Sequence, residues 1–376
     1  MVVDLLIKLG VCGLVLFGVL NFAGMQTWLE RKQSALMQDR IGANRAYFTV
    51  PWWLGGAPVN WFLRKLGGLG ILNALADVLK LLTKEDLVPE QGDRLLHTLA
   101  PLLSVFFALM AFCAIPIGPT VELWGRHIPL QVSNINAGLL FVLALGSIGI
   151  YGVILAGLIS GNNFSTLGGL RASSQMLSYE IALGISLIGA VIWYGTLDLQ
   201  LMIQHQGRYL LGGWLPEWGV FVQPLGCLIF MTAALAHTKR VPFDLPEAEP
   251  EIIGYFTEYS GMKFGLFFLT DFVEVVLASA LTTVLFFGGW QVPYLTPTGF
   301  VFPWGGMLPV SHLAYVGLGL LSFTVKVTAF IWFFMLIRWT LPRFRYDQLM
   351  HLGWKVLFPL SLLNIGVTSL IVVIAK

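Results

Sequence analysis

The stretch Arg240-Val-Pro-Phe-Asp-Leu-Pro-Glu-Ala-Glu-Pro-Glu-Ile-Ile-Gly-Tyr-Phe-Thr-Glu-Tyr-Ser-Gly-Met-Lys263 lies between two long apolar runs. It gathers Asp244, Glu247, Glu249, Glu251 and Glu258 in a chain where only 20 of 376 residues are acidic. Glu247, Glu249 and Glu251 would splay around a regular helix, and Pro242, Pro246 and Pro250 interrupt one. The expectation is a folded loop that holds carboxylates together at a membrane edge. Like charges held together and partly desolvated keep some of their number protonated near neutral pH, which suits proton transfer. A solvated acidic loop is the plainer alternative. It needs neither three prolines nor the aromatics Phe243, Tyr255, Phe256 and Tyr259.

Outward from this loop the chain is unusually greasy, with 57% hydrophobic and 11% charged residues. That composition marks an integral membrane protein. Apolar stretches long enough to cross roughly 30 Å of hydrocarbon fall near 5–29, 95–117, 135–160, 178–197, 217–237, 263–287, 309–337 and 352–375. No alternating strand pattern argues for a barrel, so the fold expected is an all-α membrane bundle forming a single domain. The first run is too long for a signal-peptide core and is read as a mature span.

Of the 22 Lys and Arg, only Lys8, Arg126, Arg208 and Lys376 fall on the side of the N-terminus, with Lys326 inside a span. The positive-inside rule then puts the N-terminus outside. Four segments, about 30–94, 161–177, 238–262 and 338–351, face the cytoplasm. In the first, residues 71–86 repeat apolar positions at helical spacing, with Asp77, Lys80 and Lys84 away from them. This predicts an amphipathic helix, either lying in the interface or packed on the bundle. Residues 46–66, rich in Trp, Gly and Pro, carry no evident chemistry.

Ionisable residues inside spans are candidates for ion pathways. Asp271 and Glu274 are three apart, on one face of span six, and Lys326 is near the middle of span seven. Lys326 could neutralise either acid. Glu180 stands near the start of span four, where an anchor to Arg171 is the plainer role. Cys12, Cys113 and Cys227 stand alone, and the six histidines are scattered, so no disulfide, cluster or metal site is expected on this chain. No nucleotide-binding glycine motif or nucleophile–base pair stands out either.

The acidic stretch strongly resembles the carboxylate-rich loop of the NuoH family, the quinone-contacting membrane subunit of respiratory complex I. Glu30-Arg-Lys, Gln38-x-Arg40-x-Gly42, Ala76-Asp77-x-x-Lys80-Leu, the block with Arg171, Gln175, Tyr179 and Glu180, and the Arg338–Lys355 connection match the same family. The resemblance implies a subunit of NADH:quinone oxidoreductase. Its substrate would be ubiquinone or menaquinone, and the flavin and iron–sulfur clusters would sit on partner subunits. Peripheral subunits would dock on the cytoplasmic side, with antiporter-like subunits in a bacterial inner membrane. Carried over by motif, Arg31, Gln38, Arg40, Asp77, Arg240, Phe243 and Phe268 would belong to the quinone chamber. Glu180, His237, Asp244, Glu247, Glu249, Glu251, Glu258, Asp271, Glu274 and Lys326 would make the proton path. The chain departs from the family at Ala43 (usually Pro), at His237 (often Glu) and at Asp271-Phe272 (often Glu-Tyr), and 46–66 looks like an insertion. A homologous subunit of a membrane-bound hydrogenase is the alternative, and a stand-alone ion carrier the more distant one.

Overall fold

The computed structural model describes residues 2–47, 49–51, 53, 56–90, 92–123, 125–210, 213–245 and 254–375. Thirteen helices are defined among them: α1 Val2–Met37, α2 Gly56–Leu69, α3 Leu72–Thr83, α4 Arg94–Met110, α5 Gly138–Ile159, α6 Asn163–Tyr194, α7 Leu199–Gln206, α8 Gly219–Val222, α9 Pro224–His237, α10 Gly261–Phe286, α11 His312–Thr340, α12 Tyr346–His351 and α13 Phe358–Ala375. A π-helical stretch, Leu352–Leu357, runs α12 into α13. Seven helices are long and apolar enough to cross a membrane, and the shorter apolar α9 completes the set expected from sequence. Helices close the backbone hydrogen bonds that lipid cannot satisfy, which is why the apolar runs fold this way.

Helix α10 is the centre of the bundle, in contact with α1, α3, α4, α7, α8, α9 and α11. Its most apolar window is 67% buried, against 17% for α1. Small side chains on α10, Ala278, Ser279, Ala280, Thr282 and Thr283, are buried and admit close neighbours. Helix α6 forms the second axis, packed on α5, α9 and α13. Where α5 and α6 cross, a Cβ on Gly157 would meet the Gly169 Cα at 3.0 Å, so a larger residue would push the two backbones apart.

The fifth span is broken. Residues 217–237 form α8 and α9 with Gln223 between them, and Pro224 starts α9 where its missing N–H is not needed. Gln223 Nε2 donates to Thr368 Oγ1 at 2.7 Å, and Asn364 Nδ2 donates to Gln223 Oε1 at 2.9 Å. The three side chains are buried. This uncharged clasp ties the break to α13.

Two connections differ from the sequence reading. Residues 161–177, expected as a loop, are helical from Asn163, capped by Asn162, whose side chain accepts from Phe164 N at 3.0 Å. The polar composition that looked like a loop belongs to a buried helix–helix seam: Ser165, Gly168, Gly169, Ala172 and Ser173 all face the interior. Residues 46–66, which carry no evident chemistry in the sequence, include most of α2, which meets α3 at a 90° bend. Helix α3 lies where the amphipathic pattern predicted and touches α1 and α10.

At the end opposite the acidic loop the connections form short hairpins. Strand β1 Val121–Leu123 pairs with β2 Arg126–Ile128, and β3 Tyr209–Leu210 with β4 Leu215–Pro216. Strands β5 Leu295–Thr296, β6 Gly299–Val301 and β7 Met307–Pro309 form a three-stranded antiparallel sheet.

Candidate functional site

Polar groups concentrate where α1, α3, α6, α9, α10 and α11 end near the acidic loop. Both flanks of that loop are fastened to α6. Gln175 Nε2 donates to the carbonyls of Ala236 and Phe243, and Ser165 Oγ donates to the Tyr255 carbonyl. Glu247, Glu249 and Glu251 lie outside the described residues. The two acids of the stretch that are described have different partners. Asp244 pairs with Arg343 at 2.9 Å, whereas Glu258 accepts from Asn162 Nδ2 at 3.1 Å.

The outermost group joins α1 to α3. Arg31 on α1 meets Asp77 on α3 at 2.6 Å, both side chains being about half exposed, 45% and 41%. Gln38 Oε1 accepts from Arg40 Nε at 2.7 Å just beyond the helix end. Phe268, on the neighbouring face of α10, is 42% exposed and packs on Phe264 and edge-on to Phe272. Phe243 is not part of this open surface. It is buried between Tyr179 and Phe344, with ring centroids 5.9 and 5.3 Å away.

Deeper, Glu30 is held by two arginines, Arg240 at 3.1 Å and Arg338, and the Arg240 guanidinium lies 4.2 Å from the Phe272 ring centre. Pairing is what makes these charges tolerable at low exposure. Glu30 was legible only as part of a motif; its partners come from chain segments 210 and 308 residues away.

Next inward stands Lys239, which the sequence marks only as a cytoplasmic charge. It adopts a left-handed backbone, φ 54°, which turns its side chain into the protein. Its Nζ lies 2.8 Å from Asp271 Oδ1, 4.0 Å from Glu274 Oε2 and 5.6 Å from the Tyr255 ring centre. Burial disfavours the ammonium, but Asp271 and Glu274 prevail and hold Lys239 protonated well above the ordinary lysine range. The helical spacing of Asp271 and Glu274 thus does put both on one face, toward one cation.

Beyond this ion group opens a cavity of about 60 Å³, walled by α4, α5, α6, α9 and α10. Glu274, His237, Glu180, Thr238 and Ser104 give it polar lining in otherwise apolar walls. Glu180 accepts from Ser147 Oγ at 2.5 Å, not from Arg171, whose guanidinium lies over Tyr346. Because α6 begins at Asn163, Glu180 sits mid-helix. His237 Nδ1, Ser104 Oγ and Glu274 Oε2 are buried without a hydrogen-bond partner among the described residues. A cavity this size, with such groups around it, accommodates several waters.

Lys326 is elsewhere. The expectation that it neutralises Asp271 or Glu274 is not met, since Lys239 occupies that position. Lys326 Nζ donates to the carbonyls of Phe287, Gly289 and Gln291 at 2.8, 3.0 and 2.7 Å, and lies 4.6 Å from the Trp218 ring centre. It binds the turn that follows the far end of α10, where cations are favoured.

Comparison with known proteins agrees with this architecture. The sequence model of the family described as NADH dehydrogenase matches residues 9–369. Among similar proteins, the H-type subunit of NADH-quinone oxidoreductase from Thermomicrobium roseum is 44% identical over 363 residues, covering 96% of this chain and 94% of that one. The corresponding NADH-quinone oxidoreductase subunit of Cytophaga hutchinsonii is 41% identical over 93% of this chain and 92% of its own length. That of Geobacter metallireducens is 41% identical over 99% and 98%. With a match along nearly its whole length, this chain belongs to the family of H-type membrane subunits of NADH-quinone oxidoreductase.

Proposed function

We propose that this chain, as the membrane subunit of a proton-translocating NADH:quinone oxidoreductase, forms the mouth of the quinone chamber and the first stretch of the acidic path. One observation supports the reading: a succession of polar groups leads inward from the half-exposed Arg31–Asp77 pair. It passes through Glu30–Arg240–Arg338 and Lys239–Asp271–Glu274 to the cavity of Glu180 and His237. The quinone head is a flat ring with two carbonyl acceptors. Arg31, Gln38 and Arg40 supply donors and Phe268 an exposed ring, while the apolar faces of α1 and α10 suit an isoprenoid tail. Arg240 stands behind them and sets the local charge.

On this reading quinone, ubiquinone or menaquinone, is the substrate and this chain holds no redox centre. Electrons arrive from iron–sulfur clusters on peripheral subunits, one of which also carries flavin. Those subunits dock on the Arg-rich and acidic loops, taken as cytoplasmic in a bacterial inner membrane with the N-terminus outside. Reduction of quinone takes up protons and alters charge at the chamber. The acidic loop, including Glu247, Glu249, Glu251, Asp244 and Glu258, answers by protonation, and Asp271, Glu274, His237 and Glu180 pass the change toward antiporter-like subunits. His237 serves where relatives often have Glu; a neutral imidazole accepts a proton at one nitrogen while donating at the other.

Photo-crosslinking of membranes with an azido-quinone tests the reading. Label is expected in residues 30–45, 71–86 or 240–270, competed away by native quinone. Absence of competed label there, with the chain recovered in a hydrogenase assembly, would overturn it.

A further inference from the structure

The two acids on α10 open on different spaces. Asp271 lines a small cavity of about 20 Å³ on the inner side, shared with Phe268, Arg240 and Asp244, whereas Glu274 lines the 60 Å³ cavity shared with His237 and Glu180. Thr238 borders both, and Lys239, its side chain 2% exposed, lines the smaller one. One ammonium faces two carboxylates at 2.8 and 4.0 Å. In a poorly solvated site a single cation neutralises one carboxylate, and the other is most stable holding a proton. The left-handed backbone at Lys239 is a further sign that this side chain is held here against local preference.

We propose that Lys239 is a swinging counter-ion that separates proton arrival from proton departure. In one position it pairs with ionised Asp271 while Glu274 carries a proton. A proton reaching Asp271 from the inner cavity cancels that carboxylate's charge and frees the ammonium. The ammonium moves the remaining distance to Glu274, whose proton leaves into the larger cavity toward His237 or Glu180. One proton has entered, one has left, and Lys239 stays protonated throughout. The other titratable or charged groups around it are Tyr255 and Asp244 from the acidic loop, Arg240 from its own segment and Arg338 from α11, with His237 and Glu180 on the neighbouring cavity. The inference rests on the acidic path proposed above and adds to it a cation that the path requires.

The test uses the whole complex in vesicles, with quinone turnover and internal acidification measured together for Lys239→Arg, Lys239→Met, Asp271→Asn and the double variant K239M/D271N. Arginine keeps the charge, but its planar fork binds both carboxylates at once and cannot swing. Lys239→Arg should therefore assemble yet lose most of its acidification per quinone. Lys239→Met should lose it as well, and if that variant does not assemble, the double variant removes both charges together and should assemble without pumping. Wild-type acidification in Lys239→Arg or in the double variant would overturn the swinging role, leaving Lys239 as a fixed ion pair. Asp271→Asn separates the two levels. If it alone abolishes pumping while Lys239→Arg is normal, only the lysine inference falls; if Asp271→Asn pumps normally, the acidic path itself falls.

Discussion

One buried and one half-buried lysine divide the molecule into ends of different character. Lys239, at the end near the acidic loop, is held by carboxylates; Lys326, at the far end, is held by three backbone carbonyls. A carbonyl has a fixed dipole and cannot accept a proton at ordinary pH, so the acceptors of the far site do not change charge. A carboxylate has two charge states, so the site of Lys239 has several arrangements of nearly equal charge. The same side chain is thus a bolt at one end and a movable part at the other.

The largest effect should come from removing a charge at the movable end. Glu30→Gln leaves Arg240 and Arg338 facing each other at low exposure, and breaking a buried ion group of this kind costs about 3–5 kcal/mol. A lower melting temperature for the purified complex, together with weaker quinone reduction, is expected; unchanged stability would show that the arginines find other partners. A smaller loss is expected at the bolt. Lys326→Met strands three carbonyls and should cost about 1–3 kcal/mol, while leaving protons moved per quinone as in the wild type. A fall in that ratio would return Lys326 to the proton path and erase the contrast. Smallest in stability is Arg31→Ala. Its pair with Asp77 is half exposed, so about 1 kcal/mol or less is at stake, whereas the KM for quinone should rise. An unchanged KM would take Arg31 out of the chamber.

The spans were legible because lipid imposes a length and a composition that no tertiary contact overrides. Asp271 and Glu274 were legible for the related reason that acids in such runs are rare. Lys239 was not. A lysine just after an apolar run reads as an ordinary inside charge, and only the left-handed turn that folds it back, with Tyr255 closing over it, makes it internal. Lys326 misled in the other direction, since its depth in a span was clear but its partners, the carbonyls after α10, carry no side-chain signature. Residues 161–177 misled because glycine and serine mark both loops and tight helix seams.

The clasp of Gln223, Asn364 and Thr368 bears on how the movable end is carried. Its members are amides and a hydroxyl, with no titratable proton, so its grip is the same at any pH the membrane experiences. Helix α9 runs from this clasp over 14 residues, about 21 Å, to His237, with Lys239 just beyond. It is built like a lever with a pH-indifferent fulcrum at one end and a proton-sensitive load at the other.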